Sequence, residues 1–130
     1  MIAMLALLVI VATNTNYTAY ITQPNPGEWE LASLYFTPDS GGAVAIDGTN
    51  YITVTAKQGS TSLGSFTTYT GGTALVAGTA VAFTLTGGAG LVFSQGDILT
   101  LDSVKTGTGA VLKGTFTASW RKKQADNYYT

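Results

Sequence analysis

The chain has 130 residues, of which 45% are hydrophobic and 11% aromatic, enough for one domain with a buried core. Its formal net charge of -1, from 6 basic and 7 acidic residues, supplies no general field that would attract nucleic acid or an anionic membrane. The absence of histidine and cysteine removes the usual base of triad hydrolases, the usual ligands of structural zinc and any disulfide framework. Composition therefore favours a binding or structural role over an enzymatic one.

Residues 1–16 are expected to form an apolar arm or strand. Met1–Ala12 carries no charge and the first basic residue is Lys57, unlike the charged start of a signal peptide. As a helix, Ile2–Val11 would reach about 15 Å, half of the hydrocarbon thickness of a bilayer. A strand of about 33 Å fits better. Two positions for it stay open: a core strand of the same domain, or a segment that packs on a second copy or on another protein.

Residues 17–120 are expected to form a β-domain, because short runs that alternate threonine or serine with apolar residues are separated by glycine and proline turns. About seven or eight strands without a convincing amphipathic helix predict an all-β, antiparallel two-sheet sandwich. A jelly roll is preferred over an immunoglobulin-like sandwich, whose Cys and Trp landmarks are absent. Nine segments have strand character, the two shortest of only three residues: Tyr17–Thr22, Trp29–Phe36, Ile52–Lys57, Leu63–Tyr69, Ala74–Val76, Val81–Thr86, Leu91–Phe93, Ile98–Val104 and Gly114–Trp120.

Two of these segments carry further predictions. Ile52–Lys57 and Leu63–Tyr69 flank a loop of hairpin length that contains a glycine, which predicts adjacent antiparallel strands. In Trp29–Phe36, alternate residues would form two faces that are both partly covered. One of these faces is apolar and the other is mixed, with Ala32, Leu34 and Phe36 on the first and Trp29, Leu31, Ser33 and Tyr35 on the second.

Two sets of polar residues are candidates for chemical sites. Glu28 and Glu30 would share a strand face, as the paired carboxylates of a glycosidase require, but a solvated strand entry is the favoured interpretation. Asp39, Asp47 and Asn50 surround a glycine-rich loop and carry the oxygen ligands that calcium prefers. Their spacing does not match an EF-hand loop, and turn formation explains them as well or better. No metal and no cofactor is therefore predicted.

Aromatic residues in and near the strands could form a sugar-stacking platform, although alternating aromatics are more often core or interface residues. They are Tyr17, Tyr20, Trp29, Tyr35, Tyr51, Tyr69 and Trp120. Residues 121–130 are expected to form a basic tail, since Arg121, Lys122 and Lys123 hold half of the positive charge of the chain. These cations could contact an acidic partner or phosphate, or form a solvated end that discourages edge-to-edge strand pairing.

Several motifs between about Leu34 and Trp120 occur in a familiar order and spacing. They are Thr37-Pro38-Asp39, Asn50-Tyr51-Ile52-Thr53-Val54, the run Leu75–Leu85, Gly96-Asp97-Ile98-Leu99-Thr100-Leu101 and Val104-Lys105-Thr106-Gly107-Thr108-Gly109. Together they resemble a family of small jelly-roll proteins of tailed bacteriophages. Members of that family decorate or cement the capsid, and some form the base of head fibres.

The resemblance implies a virion structural protein on the outer capsid surface, which stabilises the shell by bridging neighbouring capsomers. It implies the major capsid protein as partner, commonly bound by a homotrimer on a local threefold, with no nucleic-acid or membrane partner. The apolar N-terminal segment and the basic residues near the C-terminus are not part of the resemblance. From the residues themselves, the candidate interface set is Ile2, Met4, Leu5, Leu7, Leu8, Val9, Ile10, Val11, Tyr17 and Tyr20, with Arg121, Lys122 and Lys123 as candidate electrostatic contacts. Two other interpretations stay open: a glycan- or receptor-binding adhesin domain, and a self-assembling subunit of a shell or filament.

Overall fold

The structure, a computed structural model, describes residues 4–108 and 110–123. These residues form nine strands and one short 3-10 helix, Gly88–Leu91. The strands are β1 (Met4–Thr13), β2 (Tyr17–Thr22), β3 (Trp29–Pro38), β4 (Tyr51–Gln58), β5 (Thr61–Thr67), β6 (Val81–Ala82), β7 (Val92–Phe93), β8 (Ile98–Thr106) and β9 (Leu112–Lys122).

Two antiparallel sheets contain these strands. Sheet A has the order β1-β9-β3-β6, with β7 also paired to β3, and sheet B has the order β2-β8-β4-β5. The strands pair as in one long antiparallel hairpin that turns between β4 and β5. From its open end to the turn, the successive pairs are β1–β9, β2–β8, β3–β6 and β4–β5. Rolling that hairpin into two packed sheets produces a jelly roll. The prediction of an all-β, two-sheet sandwich is confirmed.

The alternation of hydroxyl and apolar residues sets the inner face of each strand. In β4, Ile52, Val54 and Ala56 are buried while the threonines between them are partly exposed. The same holds in β9, where Phe116 and Trp120 are buried. Because successive side chains of a strand point to opposite faces, one apolar residue in two is enough to build the core.

Aromatic rings from both sheets fill that core. The ring centroid of Phe36 lies 4.8 Å from that of Phe116 and 5.7 Å from that of Phe66, which joins β3, β9 and β5. Phe93 packs edge-on against Trp120 with ring centroids 5.5 Å apart. Such pairs contribute about 0.5–1.5 kcal/mol each beyond the area they bury. The sandwich therefore provides a rigid support for the residues on its outer faces.

A β-bulge in β3 accounts for its apolar pattern. The register between β3 and β9 shifts between Leu31 and Ser33, so strict alternation is interrupted at Ala32. Trp29 and Leu31 before the bulge and Leu34 after it are all buried in the same core. Trp29 and Leu31 therefore lie on the same side of the strand as Leu34, which corrects the predicted assignment of these residues to opposite faces; that assignment assumed an unbroken period of two.

Two predicted strands are shorter than expected. Ala74–Val76 contributes a single bridge between Leu75 and Val44. The segment predicted as Val81–Thr86 forms β6 only as far as Ala82, although the Phe83 backbone N–H still donates to a carbonyl of β3 at 2.9 Å. The predicted β4–β5 hairpin is confirmed by their antiparallel pairing.

Candidate docking surface

Strand β1 forms one edge of sheet A. It pairs with β9 along its whole length, from Met4 opposite Arg121 to Thr13 opposite Leu112. Among the described residues, no strand pairs with its other edge. Its inward face belongs to the core, with Val11 buried and Leu5, Leu7 and Val9 partly buried against the core. The predicted candidate Ile2 lies outside the described residues.

The outward face of β1 is apolar and exposed. Leu8 is 67% exposed and Ile10 is 79% exposed, and the alanines on either side of them, Ala6 and Ala12, are exposed as well. We call these four residues the β1 stripe. The strand contains no charged residue. A contiguous apolar strip of this kind on a sheet edge is typical of a contact site rather than of a surface that faces water.

The surroundings of the β1 stripe are polar and mostly uncharged. The residues of β9 that lie opposite the stripe are Ser119, Thr117, Thr115 and, opposite Ala12, Lys113. Charges on this face occur only towards its two ends within the described part of sheet A. At one end Arg121 forms an ion pair with Glu30 at 2.6 Å, and at the other Lys113 donates to the Ser40 carbonyl oxygen at 2.9 Å. The stripe is therefore an apolar centre within a hydroxyl-lined border.

The two predicted tyrosines do not join the β1 stripe. Tyr17 and Tyr20 both lie on β2, which belongs to sheet B. They are three residues apart, so their side chains point to opposite faces of that strand. Tyr20, 62% exposed, borders an open groove with Gln58 and Asp97 instead. The structure thus divides the predicted interface set between the two sheets.

Of the three basic residues predicted as electrostatic contacts, Arg121 and Lys122 are the last two residues of β9 and Lys123 follows the strand. Arg121 is held by Glu30, as described above. The Nζ atom of Lys122 lies 5.5 Å from the centroid of the Trp29 ring, a cation–π distance. Lys123 is exposed. An anionic partner would therefore have to compete with contacts inside the chain for two of the three cations.

The carboxylates of the candidate calcium site make local contacts. The Asp39 side chain accepts from the backbone of Ser40 at 2.7 Å, and that of Asp47 accepts from Asn50 at 2.9 Å and from Thr49 at 2.6 Å. These two N–H groups, that of Asn50 foremost, hold the pKa of Asp47 below its usual value. Across residues 4–108 and 110–123, no three His, Cys, Asp or Glu side chains are grouped as a metal site needs.

The two carboxylates of the candidate glycosidase pair, Glu28 and Glu30, have different surroundings. Glu28 is exposed just before β3, while Glu30 is engaged by the guanidinium of Arg121. The ion pair fixes Glu30 on the outer face of sheet A, beside the end of β9. This arrangement favours a role for Glu30 in joining neighbouring strands.

The aromatic candidates separate into core and surface groups. Trp29 and Trp120 are buried and so are withdrawn from any sugar platform. Tyr51, on β4, and Tyr69, two residues after β5, form an edge-to-face pair with ring centroids 4.8 Å apart. Hydroxyl residues border this pair, including Thr53. The sequence did not indicate the pairing, because it arises only when β4 and the end of β5 are brought together.

Comparison with known proteins does not identify a relative of this chain. No protein-family model, curated protein or solved structure matches the chain. The described part of the chain also has no helix with the length and apolar character needed to cross a membrane. The residues and charges of the surface itself are therefore the basis for a functional proposal.

Proposed function

We propose that this protein is a virion structural protein, which decorates the outer surface of a capsid and stabilises it by bridging neighbouring capsomers. The observation that carries the proposal is the β1 stripe, with Leu8 and Ile10 exposed on a strand whose other face is fixed in the core. The resemblance of the Leu34–Trp120 motifs to phage decoration proteins supports it. The major capsid protein is the proposed partner.

Burial of the β1 stripe provides the driving force. Fully burying a leucine or isoleucine side chain contributes about 1.5–3 kcal/mol. Because β1 is already ordered by β9, docking does not require a segment to fold first, which lowers the entropic cost of binding. The hydroxyl-lined border can hydrogen-bond to a partner without placing an unpaired charge in the interface.

Stabilisation of the shell follows from mass action. A protein that binds only the assembled capsid shifts the equilibrium towards that state. The homotrimer that the resemblance implies would add to this effect, because several linked contacts raise the effective concentration of each one. The ratio of this chain to the coat subunit on purified particles measures whether such copies are present.

Capsid binding can be tested by replacing the β1 stripe without disturbing the core. The double variant Leu8→Ser/Ile10→Ser changes two exposed side chains, and co-sedimentation with capsids assembled from the coat protein of the same genome measures its binding. We expect binding to weaken at least about tenfold, because both side chains lose their apolar burial. A deletion of residues 1–16 is less suitable, since it removes β1 from the sheet.

A matched control is available on sheet B. Ile98 and Val104 are 44% and 45% exposed on β8, so Ile98→Ser/Val104→Ser changes the same kind of residue elsewhere. We expect this variant to bind capsids within about twofold of the unmodified chain, as most surface changes have small effects. Equal binding by the β1 variant and the unmodified chain would overturn the proposal.

A second candidate function rests on the Tyr51–Tyr69 pair. Two tyrosine rings at 4.8 Å with Thr53 and Thr67 beside them offer stacking surface and hydroxyls, the groups that glycan recognition uses. The adhesin interpretation predicts glycan-array signals that are lost in Tyr51→Ala. The variant Tyr35→Ala, at an exposed tyrosine on sheet A, is the control that should keep them. An array without any signal from the unmodified chain would remove this candidate.

A further inference from the structure

Among residues 4–108 and 110–123, no strand pairs with the outer edge of β1, so this edge presents backbone groups in addition to the β1 stripe. In an antiparallel strand every second residue directs both its N–H and its C=O to one side, so half of β1 presents these groups away from β9. The strand contains no proline and no charge, and its register with β9 has no bulge. Proline, charged side chains and bulges usually protect a sheet edge from pairing with another strand, and β1 has none of them.

The other sheet edges are shorter than β1 or are interrupted. β1 has 10 residues, whereas β6 has 2, β2 has 6 and β5 has 7. The pairing of β5 with β4 also contains a register shift. β1 is therefore the edge best suited to accept a further strand.

We propose that two copies of this chain pair through the free edges of β1, which joins their A sheets across a twofold axis. The contact uses the backbone edge and does not depend on capsid binding. It leaves the outward face of both sheets exposed, so the two β1 stripes lie side by side. The pair would then present an apolar surface twice as large as that of one copy.

The sequence of β1 is self-complementary about Val9. When two antiparallel copies are centred on this residue, Leu8 lies opposite the partner's Ile10, and Ala6 lies opposite the partner's Ala12. Large residues on the outward face therefore meet large ones, and small residues meet small ones. Directly opposite apolar side chains of this kind contribute about 0.2–1 kcal/mol per pair. This match favours a second copy over an unrelated strand.

Charge also permits this pairing. Lys113 lies opposite Ala12 on β9, and Ser119 lies opposite Ala6. When the two copies are centred on Val9, four residues lie side by side across the four neighbouring strands. In order they are Lys113, Ala12, the partner's Ala6 and the partner's Ser119. A cation therefore faces a hydroxyl across the axis, and like charges do not oppose each other along this row.

A twofold contact predicts an even number of copies. The mass of the native full-length protein, measured by light scattering, should be twice the chain mass of 13.4 kDa. If a threefold contact also forms, the expected species is a hexamer. A monomer or an isolated trimer at high concentration would overturn the proposal.

Charged substitutions at Leu8 and Ile10 test both the contact between the β1 edges and its register. In the variant Leu8→Lys/Ile10→Lys, each new lysine lies opposite a lysine of the second copy. We expect its dimer dissociation constant to rise about tenfold or more, because directly opposed like charges destabilise strand pairs. In Leu8→Lys/Ile10→Glu each lysine instead lies opposite a glutamate, so the dimer should persist at low salt.

The two variants also separate this proposal from capsid binding. Both replace the apolar side chains of the β1 stripe, so both should lose particle binding, but only the double-lysine variant should lose the dimer. If both variants dimerise as the unmodified chain does, the copies meet elsewhere and the proposal is wrong. If a co-purifying strand from another protein protects the β1 amides from hydrogen exchange while the chain stays monomeric, the occupant is not a second copy.

Discussion

The outer faces of the two sheets are built from the same alternating pattern but differ in what they expose. On sheet B, threonines surround an ion pair between Lys57 and Asp102 at 3.6 Å, and Thr18 also donates to Asp102 at 3.4 Å. On sheet A, the edge strand exposes Leu8 and Ile10. A face with hydroxyls and charges keeps its hydration, whereas the β1 stripe gains free energy when it is covered. Sheet B also exposes Ile98 and Val104, but these lie on β8, an inner strand that carries charged residues as well. The proposed function therefore places the capsid contact on the β1 stripe of sheet A.

The largest effect is expected when the inner face is changed instead of either outer face. Phe116→Ala removes a buried ring that packs 4.8 Å from Phe36, and it should cost about 3–5 kcal/mol of unfolding free energy. The neighbouring Thr117→Ala on the outer face should cost within about 0.5 kcal/mol. Urea denaturation of both variants measures this contrast. Similar losses at the two positions would mean that the outer face of sheet A is also part of the core.

Within β1 the two faces should separate in the same way. Val11 is buried and Ile10 is exposed, so Val11→Ser should cost about 1–3 kcal/mol and Ile10→Ser within about 0.5 kcal/mol. Thermal melting of the two variants under identical conditions provides the comparison. A large loss for Ile10→Ser would show that the β1 stripe stabilises the isolated chain.

The ion pairs on the two outer faces should contribute little. The pairs Lys57–Asp102 and Arg121–Glu30 are both partly exposed, so double-mutant cycles should give about 0.2–1 kcal/mol for each. High salt should reduce both coupling energies because exposed charges are screened. In 1 M salt the Debye length is about 3 Å, so little coupling energy should remain. A coupling energy that persists in 1 M salt would contradict the interpretation of these pairs as exposed surface ion pairs.

The smallest effect is expected at Asp47, away from both faces. Its folded-state pKa is lowered by backbone N–H groups, so its stabilising contribution is present at neutral pH and is lost as the pH falls below about 4. The variant Asp47→Asn keeps an acceptor oxygen but does not titrate. Its unfolding free energy should therefore fall less steeply in acid than that of the unmodified chain. If the unfolding free energies of Asp47→Asn and of the unmodified chain fall equally steeply in acid, Asp47 does not contribute to the pH dependence.

The sequence predicted the inner faces better than the outer ones. Period-two alternation indicated the buried residues of β4 and β9, because threonine and apolar residues differ clearly in hydration. The bulge at Ala32 was not visible, since an inserted residue leaves no mark in composition. Within β1 every residue from Leu5 to Ala12 is apolar, so no contrast could show that Leu8 and Ile10 face outward.

The candidate surface needed the sheet register as well. The predicted interface set combines Tyr17 and Tyr20 with the N-terminal segment, but the strand that carries them, β2, belongs to the other sheet. Likewise, Tyr51 and Tyr69 meet only after β4 and β5 have paired. Strand pairing, and not closeness in sequence, therefore decides which residues form one surface.

The heat resistance of decorated particles tests the central claim most directly. Particles that lack this protein are mixed with the unmodified chain or with Leu8→Ser/Ile10→Ser, and the temperature at which they release their nucleic acid is measured. We predict that the unmodified chain raises this temperature, whereas the variant leaves it at the undecorated value although its own fold is intact. Equal protection by the two proteins would contradict a function that depends on the β1 stripe.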